Sequence, residues 1–153
     1  VIRLCKEMRR RRPDTVFGAD LIAGFPTETD RAHEATIRLI EEADLSHLHV
    51  FSYSDREGTP AAKMPKTKPS DIKGRALALR EMGRKQLDKL VSLRVNKYDE
   101  LLLEKSNQGY LRNFIRVKLA HDKLLPSGSI LPVKILPTQS HGNDSPSVVV
   151  ELL

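Results

Sequence analysis

The sequence predicts an α/β domain over residues 1–94, followed by a small all-β barrel over residues 95–153. Three observations carry that expectation. Residues 18–65 run strand, loop, helix, strand, loop, and parallel α/β folds place their ligands at the carboxyl ends of such strands. Residues 70–95 sustain one long helical period. Beyond Asn96 the pattern changes to short alternating runs broken by Asn, Gly and Pro turn signals.

Each element has its own signal. Ile2, Cys5 and Met8 recur at helical spacing, Arg9 to Arg12 crowd the last turn, and Pro13 forbids another. Cations there complement the helix dipole, so a structural role for the arginines stands beside a nucleic-acid patch. Val16 to Ala23 is apolar without clean alternation, which suits a parallel strand covered on both faces. Thr29 or Asp30 caps a helix with its stripe at Ala32, Thr36, Leu39, Ile40 and Ala43.

His47 to Tyr53 is the next strand. Leu48, Val50 and Ser52 lie on one face, with His47, His49, Phe51 and Tyr53 on the other. After a Pro-, Gly- and Lys-containing connection, Ser70 is a good N-cap for the long helix. Its buried stripe is Ile72, Ala76, Leu79, Gly83, Leu87 and Leu90, leaving Lys73, Arg80, Arg84 and Lys85 largely outside. Four short strands follow at 99–105, 112–119, 129–137 and 147–153, with breaks at 107–109, 126–128 and 141–144. That strand density suits a small closed or nearly closed barrel.

Composition narrows the class. Of 153 residues, 39% are hydrophobic and 30% charged, as in soluble proteins, and no run approaches the ~20 apolar residues of a membrane span. The first residues do not form a signal peptide, and Val1 already lies inside a helical pattern, so the chain reads as a fragment. One cysteine, Cys5, excludes an internal disulfide and fits a reducing compartment, by default the cytoplasm. The net charge of +6 is concentrated: residues 61–97 carry net +8, residues 1–60 net −2 and residues 98–153 net 0. Such a segment is either a footprint for a polyanion or a solvated helix face.

The loops are more specific than the charge. Gly24-Phe25-Pro26 joins a strand to a helix start, where backbone N–H groups favour anionic or polar groups. Asp20, Ile22, Gly24, Phe25, Pro26, Glu28 and Thr29 form a D-x-I-x-G-F-P-x-E-T string. One helix later come Tyr53, Ser54, Arg56, Gly58, Thr59 and Ala61 as Y-S-x-R-x-G-T-x-A. These strings resemble the second half of the radical S-adenosylmethionine barrel in tRNA methylthiotransferases. Gly18-Ala19, Thr27 and Leu48-His49-Val50-Phe51 look most like the branch that converts threonylcarbamoyladenosine beside the anticodon to its 2-methylthio form. The resemblance is strong to residue 65 and loose after residue 97.

The resemblance implies a carboxy-terminal part of a radical-SAM partial (β/α) barrel, followed by a TRAM-like, OB-like barrel that binds RNA. It implies that Ile22, Gly24, Phe25 and Pro26 border the cosubstrate adenine, that His49 and Phe51 face the barrel interior, and that Arg56 sits at its mouth. Plain core packing remains the other reading of Phe25 and Phe51, and a hydrogen-bonded interior residue that of His49. The family's cofactors are S-adenosylmethionine and two 4Fe-4S clusters, whose ligation needs sets of thiolates. This chain has no C-x-x-x-C-x-x-C and only Cys5, which matches neither ligand set. No catalytic residue and no metal ligand is therefore expected here, and the chain alone should be inactive.

For the RNA reader, Arg112, Phe114, Arg116 and Lys118 fall on one side of a strand, opposite Ile115, Val117 and Leu119. A ring flanked by cations suits an unpaired base with its phosphates neutralised, while an exposed strand protected by charge is the plainer reading. The implied partners are a tRNA anticodon stem-loop and the missing amino-terminal half, the full-length enzyme being a monomer. Two alternatives stand beside the enzyme: a non-catalytic RNA-binding module and a degenerate remnant.

Overall fold

A computed structural model describes residues 1–105, 107–120, 125–137 and 148–153. They form two compact units, Val1–Leu87 and Asp88–Leu153. The first contains α1 (Ile2–Arg11), β1 (Phe17–Ala23), α2 (Asp30–Glu42), β2 (Leu45–Ser52) and a 3-10 turn at Pro60–Lys63. The division falls within α3 (Pro69–Ser92).

β1 and β2 pair in parallel, Ala19 beside Leu48 and Ile22 beside Phe51, with α2 as the crossover that parallel strands require. Phe17, Ala19, Leu21 and Ala23 alternate inward and meet Leu48 and Val50 of β2. Cys5 of α1, Ile40 and Ala43 of α2, and Ala76 and Leu79 of α3 complete that core. The other sheet face carries Gly18, Asp20 and Ile22 beside His47, His49 and Phe51. Ile22 and Phe51 are 58% and 55% exposed there, which corrects the expectation of a strand covered on both faces. The helices pack against one face only, so the apolar residues on the other keep their surface.

Local chemistry explains the helix ends. Thr29 Oγ1 accepts the Ala32 N–H at 3.2 Å and caps α2. Ala32 itself is exposed, and half-buried Ile37 takes the place expected for it on the packed stripe. Arg9 serves α2 rather than its own helix: it donates to Ala43 O at 2.9 Å and Asp44 O at 2.7 Å, satisfying carbonyls at the C-terminus of α2. Its guanidinium also lies 4.7 Å from the Phe17 ring centroid. Arg10 and Arg11 pair with Glu7.

Ser70 is not the cap of α3. Pro69 takes the first helical position, where its missing N–H is harmless, and the Ser70 hydroxyl donates to Asp71 inside the first turn. The helix ends at Ser92, short of the expected Val95. Its predicted stripe is buried at Ala76 and Leu79 and half-buried at Ile72, Gly83, Leu87 and Leu90. Arg80 lies outside that stripe and donates to Val50 O of β2 at 3.1 Å.

The second unit is a closed barrel in the order β3-β4-β5-β7-β6. Its strands are β3 (Tyr98–Lys105), β4 (Gln108–Leu111), β5 (Arg116–Leu119), β6 (Ile130–Ile135) and β7 (Val148–Leu152). β5 and β7 run parallel and the other pairs antiparallel. Leu101, Leu103, Leu111, Ile115, Val117, Leu119, Val133, Ile135, Val148 and Val150 are the buried interior. Closure answers the open-edge problem that these five short strands would otherwise leave, one strand more than the four expected.

Two expectations are corrected here. The predicted strand 112–119 holds strand geometry only over Arg116–Leu119, and the predicted turn at 107–109 supplies the first two residues of β4. Gly109 is the reason. It sits opposite Leu103 and Val117, and a Cβ there would collide with the Leu102 carbonyl oxygen and lie 2.8 Å from Leu101 Cδ1. It is therefore a close-approach glycine inside a strand rather than a turn residue. The predicted break at 141–144 and the start of the last strand at Ser147 lie outside the described residues.

Gly109→Ala should destabilise the barrel by at least about 1–3 kcal/mol, the scale for overpacking a tight core. Urea unfolding followed by Tyr98 and Tyr110 fluorescence checks this, and an unchanged midpoint would refute the close approach.

Candidate functional site

The carboxyl ends of β1 and β2 hold the conspicuous loops. Gly24 has φ +80°, and a Cβ there would lie 2.5 Å from the Ile72 side chain of α3, so only glycine fits. Its N–H donates to Glu28 Oε2 at 2.5 Å, and Glu28 N–H closes the turn on Phe25 O at 2.8 Å. Arg75 reaches from α3 and donates to Glu28 O at 2.7 Å, Glu28 Oε2 at 3.2 Å and Asp30 Oδ1 at 2.8 Å. His33 Nδ1 of α2 stands 3.4 Å from Glu28 Oε1. The Glu28 and Arg75 side chains are only 12% and 13% exposed, so this is a nearly dry carboxylate–guanidinium pair. The Asp30 carboxylate, with Glu28 behind it, holds the Arg75 pKa above its ordinary value.

The second loop leaves β2 beside the first. Tyr53 N–H donates to Ala23 O at 2.8 Å, and the Phe25 and Tyr53 rings meet edge to face, 5.4 Å apart at 78°. Lys66 pairs with Asp55 across the base of the loop, and that hydrogen bond holds the Asp55 carboxyl below the usual carboxylate range. Thr59 donates to Arg56 O through its N–H at 3.2 Å and its hydroxyl at 2.8 Å, closing a turn that leaves the Arg56 side chain exposed.

Ile22, His49 and Phe51 therefore share one exposed sheet face, with Asp20 beside His49. Gly24 is buried, and its N–H is already engaged by Glu28. Phe25 packs on Tyr53, and Pro26 is half-buried in the same loop. Glu28, Asp30, His33 and Arg75 were not singled out from the sequence as a working group. Glu28 stood inside the motif, but no local pattern pointed to Arg75, 47 residues away.

On the barrel, Arg112, Phe114, Arg116 and Lys118 are all exposed, while the residues between them face the interior. Only Arg116 and Lys118 lie on a strand; Arg112 and Phe114 belong to the β4–β5 turn. Arg116 donates to Gln108 Oε1 at 2.8 Å, and Arg112 stands 3.7 Å from Glu100.

Cys5 is 5% exposed in the core of the first unit. Among the described residues no three His, Cys, Asp or Glu side chains are grouped to hold a metal ion. An iron–sulfur cluster, which needs several accessible thiolates, does not fit the residues present.

No protein-family model matches the chain. A threonylcarbamoyladenosine tRNA methylthiotransferase (MtaB) of Rickettsia prowazekii is 47% identical over 136 residues, covering 89% of this chain and 32% of the relative. The chain belongs to the tRNA methylthiotransferase family. A second methylthiotransferase-family relative, a tRNA-2-methylthio-N(6)-dimethylallyladenosine synthase of Ehrlichia canis, is 42% identical over 86 residues, 56% of this chain and 20% of that protein. A synthase of the same name from Bartonella henselae is 30% identical over 145 residues, 92% of this chain and 32% of that protein. The chain thus spans about a third or less of the length of these relatives.

Arg75→Ala strands the Glu28 carboxylate in a dry site, so it should lower the stability of the first unit by about 3 kcal/mol. Arg75→Lys should recover only part of this, because one ammonium cannot serve both Glu28 and Asp30 as the guanidinium fork does. Chemical denaturation of the three proteins decides it, and equal midpoints would remove the pair from the account.

Proposed function

We propose that this chain is the carboxy-terminal portion of a tRNA methylthiotransferase that converts threonylcarbamoyladenosine next to the anticodon to its 2-methylthio derivative. The observation that carries the reading is the 47% identity to the Rickettsia threonylcarbamoyladenosine enzyme, which runs over 89% of the chain. In this reading residues 1–94 are the end of the radical S-adenosylmethionine domain and residues 95–153 a TRAM-like RNA-binding barrel. The enzyme is a transferase of tRNA processing in the cytoplasm, and no helix among the described residues is long and apolar enough to cross a membrane.

The sheet face supports the cosubstrate assignment. Ile22 and Phe51 are adjacent, exposed and apolar at the carboxyl ends of their strands, a surface an adenine ring can cover. His49, one turn of the pleat deeper, offers a polar edge beside Asp20. S-adenosylmethionine supplies the methyl group and the radical chemistry when bound. The chain's own part is positioning: Glu28 and Arg75 fix the Gly24–Pro26 loop, and the Phe25–Tyr53 contact ties it to the Arg56 loop. The clusters belong to the remaining length of the family and to no residue here, so no step is assigned to them.

Two experiments test this. Purified alone and reconstituted anaerobically, the chain should take up no stoichiometric iron and sulfide and release no 5′-deoxyadenosine; formation of either would overturn the division of labour. Binding to an anticodon stem-loop should weaken steeply with salt, because neutralised phosphates release counterions. Replacing Arg112, Arg116 and Lys118 with Ala should flatten that slope. A triple variant that binds like its parent would make the barrel a structural cap. A non-catalytic RNA-binding role is the second reading, favoured by the single buried cysteine.

A further inference from the structure

Phe114 occupies a backbone position that folding alone would not give it. Its φ is +62°, and it follows a tight turn in which its N–H bonds Leu111 O while Leu111 N–H bonds Ile115 O, both at 2.9 Å. A three-residue hairpin of this kind places glycine at its left-handed position, because a Cβ there is strained. The other left-handed non-glycine residues described are Asp44 and Asn96, types that tolerate the conformation. A phenylalanine is not of that type, and 73% of its surface is exposed, so packing does not repay the strain.

The strand register extends the surface beneath it. Ile130 of β6 lies beside Leu102 of β3, Leu102 beside Tyr110 of β4, and Tyr110 beside Arg116 of β5. Ile130 and Leu102 are 66% and 46% exposed and Tyr110 is half-buried, so an apolar row runs across the outer wall and ends on a guanidinium. Lys118 continues that cationic border along β5, while Arg112 is shared with Glu100.

We propose that this outer wall is a stacking platform for unpaired nucleotides, with Phe114 and Tyr110 as its two rings and Arg116 and Lys118 as its phosphate contacts. The proposal rests on the RNA-binding reading and names its substrate class: unpaired loop nucleotides rather than a stem. Bases in a duplex keep their faces stacked on each other, and side chains cannot read them from the deep groove of A-form RNA. Unpaired bases offer a face to each ring, and an apolar row tolerates any base.

The test uses the full chain, a labelled short oligouridine and the same strand annealed to its complement, with fluorescence anisotropy at fixed salt. The single strand should bind at least about tenfold tighter than the duplex. Phe114→Gly should weaken single-strand binding roughly 5- to 100-fold with the salt slope unchanged. Because glycine suits the turn, the same variant should unfold at an equal or higher temperature. Tyr110→Ser should weaken binding in the same direction. A Phe114→Gly protein that binds oligouridine like its parent overturns the platform while leaving charge-driven RNA binding intact. A Tm lowered by more than about 4 °C shows the ring to be a packing element and overturns it too. A parent that prefers the duplex contradicts the substrate class, and a parent that binds neither removes the RNA reading itself.

Discussion

The Glu28 carboxylate is where the first unit is held together. A nearly buried carboxylate must be paired and hydrogen-bonded or it destabilises the fold. This one takes a hydrogen bond from Gly24 N–H and a guanidinium from Arg75, with His33 close by, so the end of β1, the start of α2 and the first half of α3 converge on it. Gly24 must be glycine because α3 comes within contact of it, and α3 comes that close because Arg75 bonds Glu28 and Asp30. The Gly24–Pro26 loop is thus a rigid turn whose donor is already occupied.

Beside that rigid loop, one face of the sheet is exposed. Ile22, His49, Phe51 and Asp20 project from two paired strands whose other face is filled by helices. The arrangement separates support from contact. The carboxylate and guanidinium fix the backbone, and exposed apolar side chains present the surface. The barrel repeats the division: leucines and valines fill the interior, while the outer wall carries exposed rings and cations at the expense of a strained turn.

How much of this was legible in the sequence follows from the range of each interaction. The two faces of β2 were readable, since the period of a strand is a local property, and so was a cap at Thr29 or Asp30, which the structure gives to Thr29. The in-and-out partition of residues 112–119 was readable too, although alternation continues through a turn and so mimicked one long strand. Ser70 misled because Pro69 beside it is the stronger helix-start signal. Gly109 misled because a glycine that permits close approach looks, in sequence, like a glycine that permits a turn. The Glu28–Arg75 pair was invisible because nothing local links residues 47 positions apart. The apolar run of β1 misled about its cover, because an apolar strand reports that it can be covered, not what covers it.

The central claim is that Gly24 donates to a Glu28 carboxylate held in place by Arg75. The direct measurement is the Gly24 amide by nuclear magnetic resonance, following its proton shift and its exchange with solvent in the parent chain, Glu28→Ala and Arg75→Ala. The account predicts a downfield, slowly exchanging amide in the parent that loses both properties in Glu28→Ala and much of them in Arg75→Ala. A Gly24 amide that exchanges freely in the parent, or that is unchanged in Glu28→Ala, would contradict it.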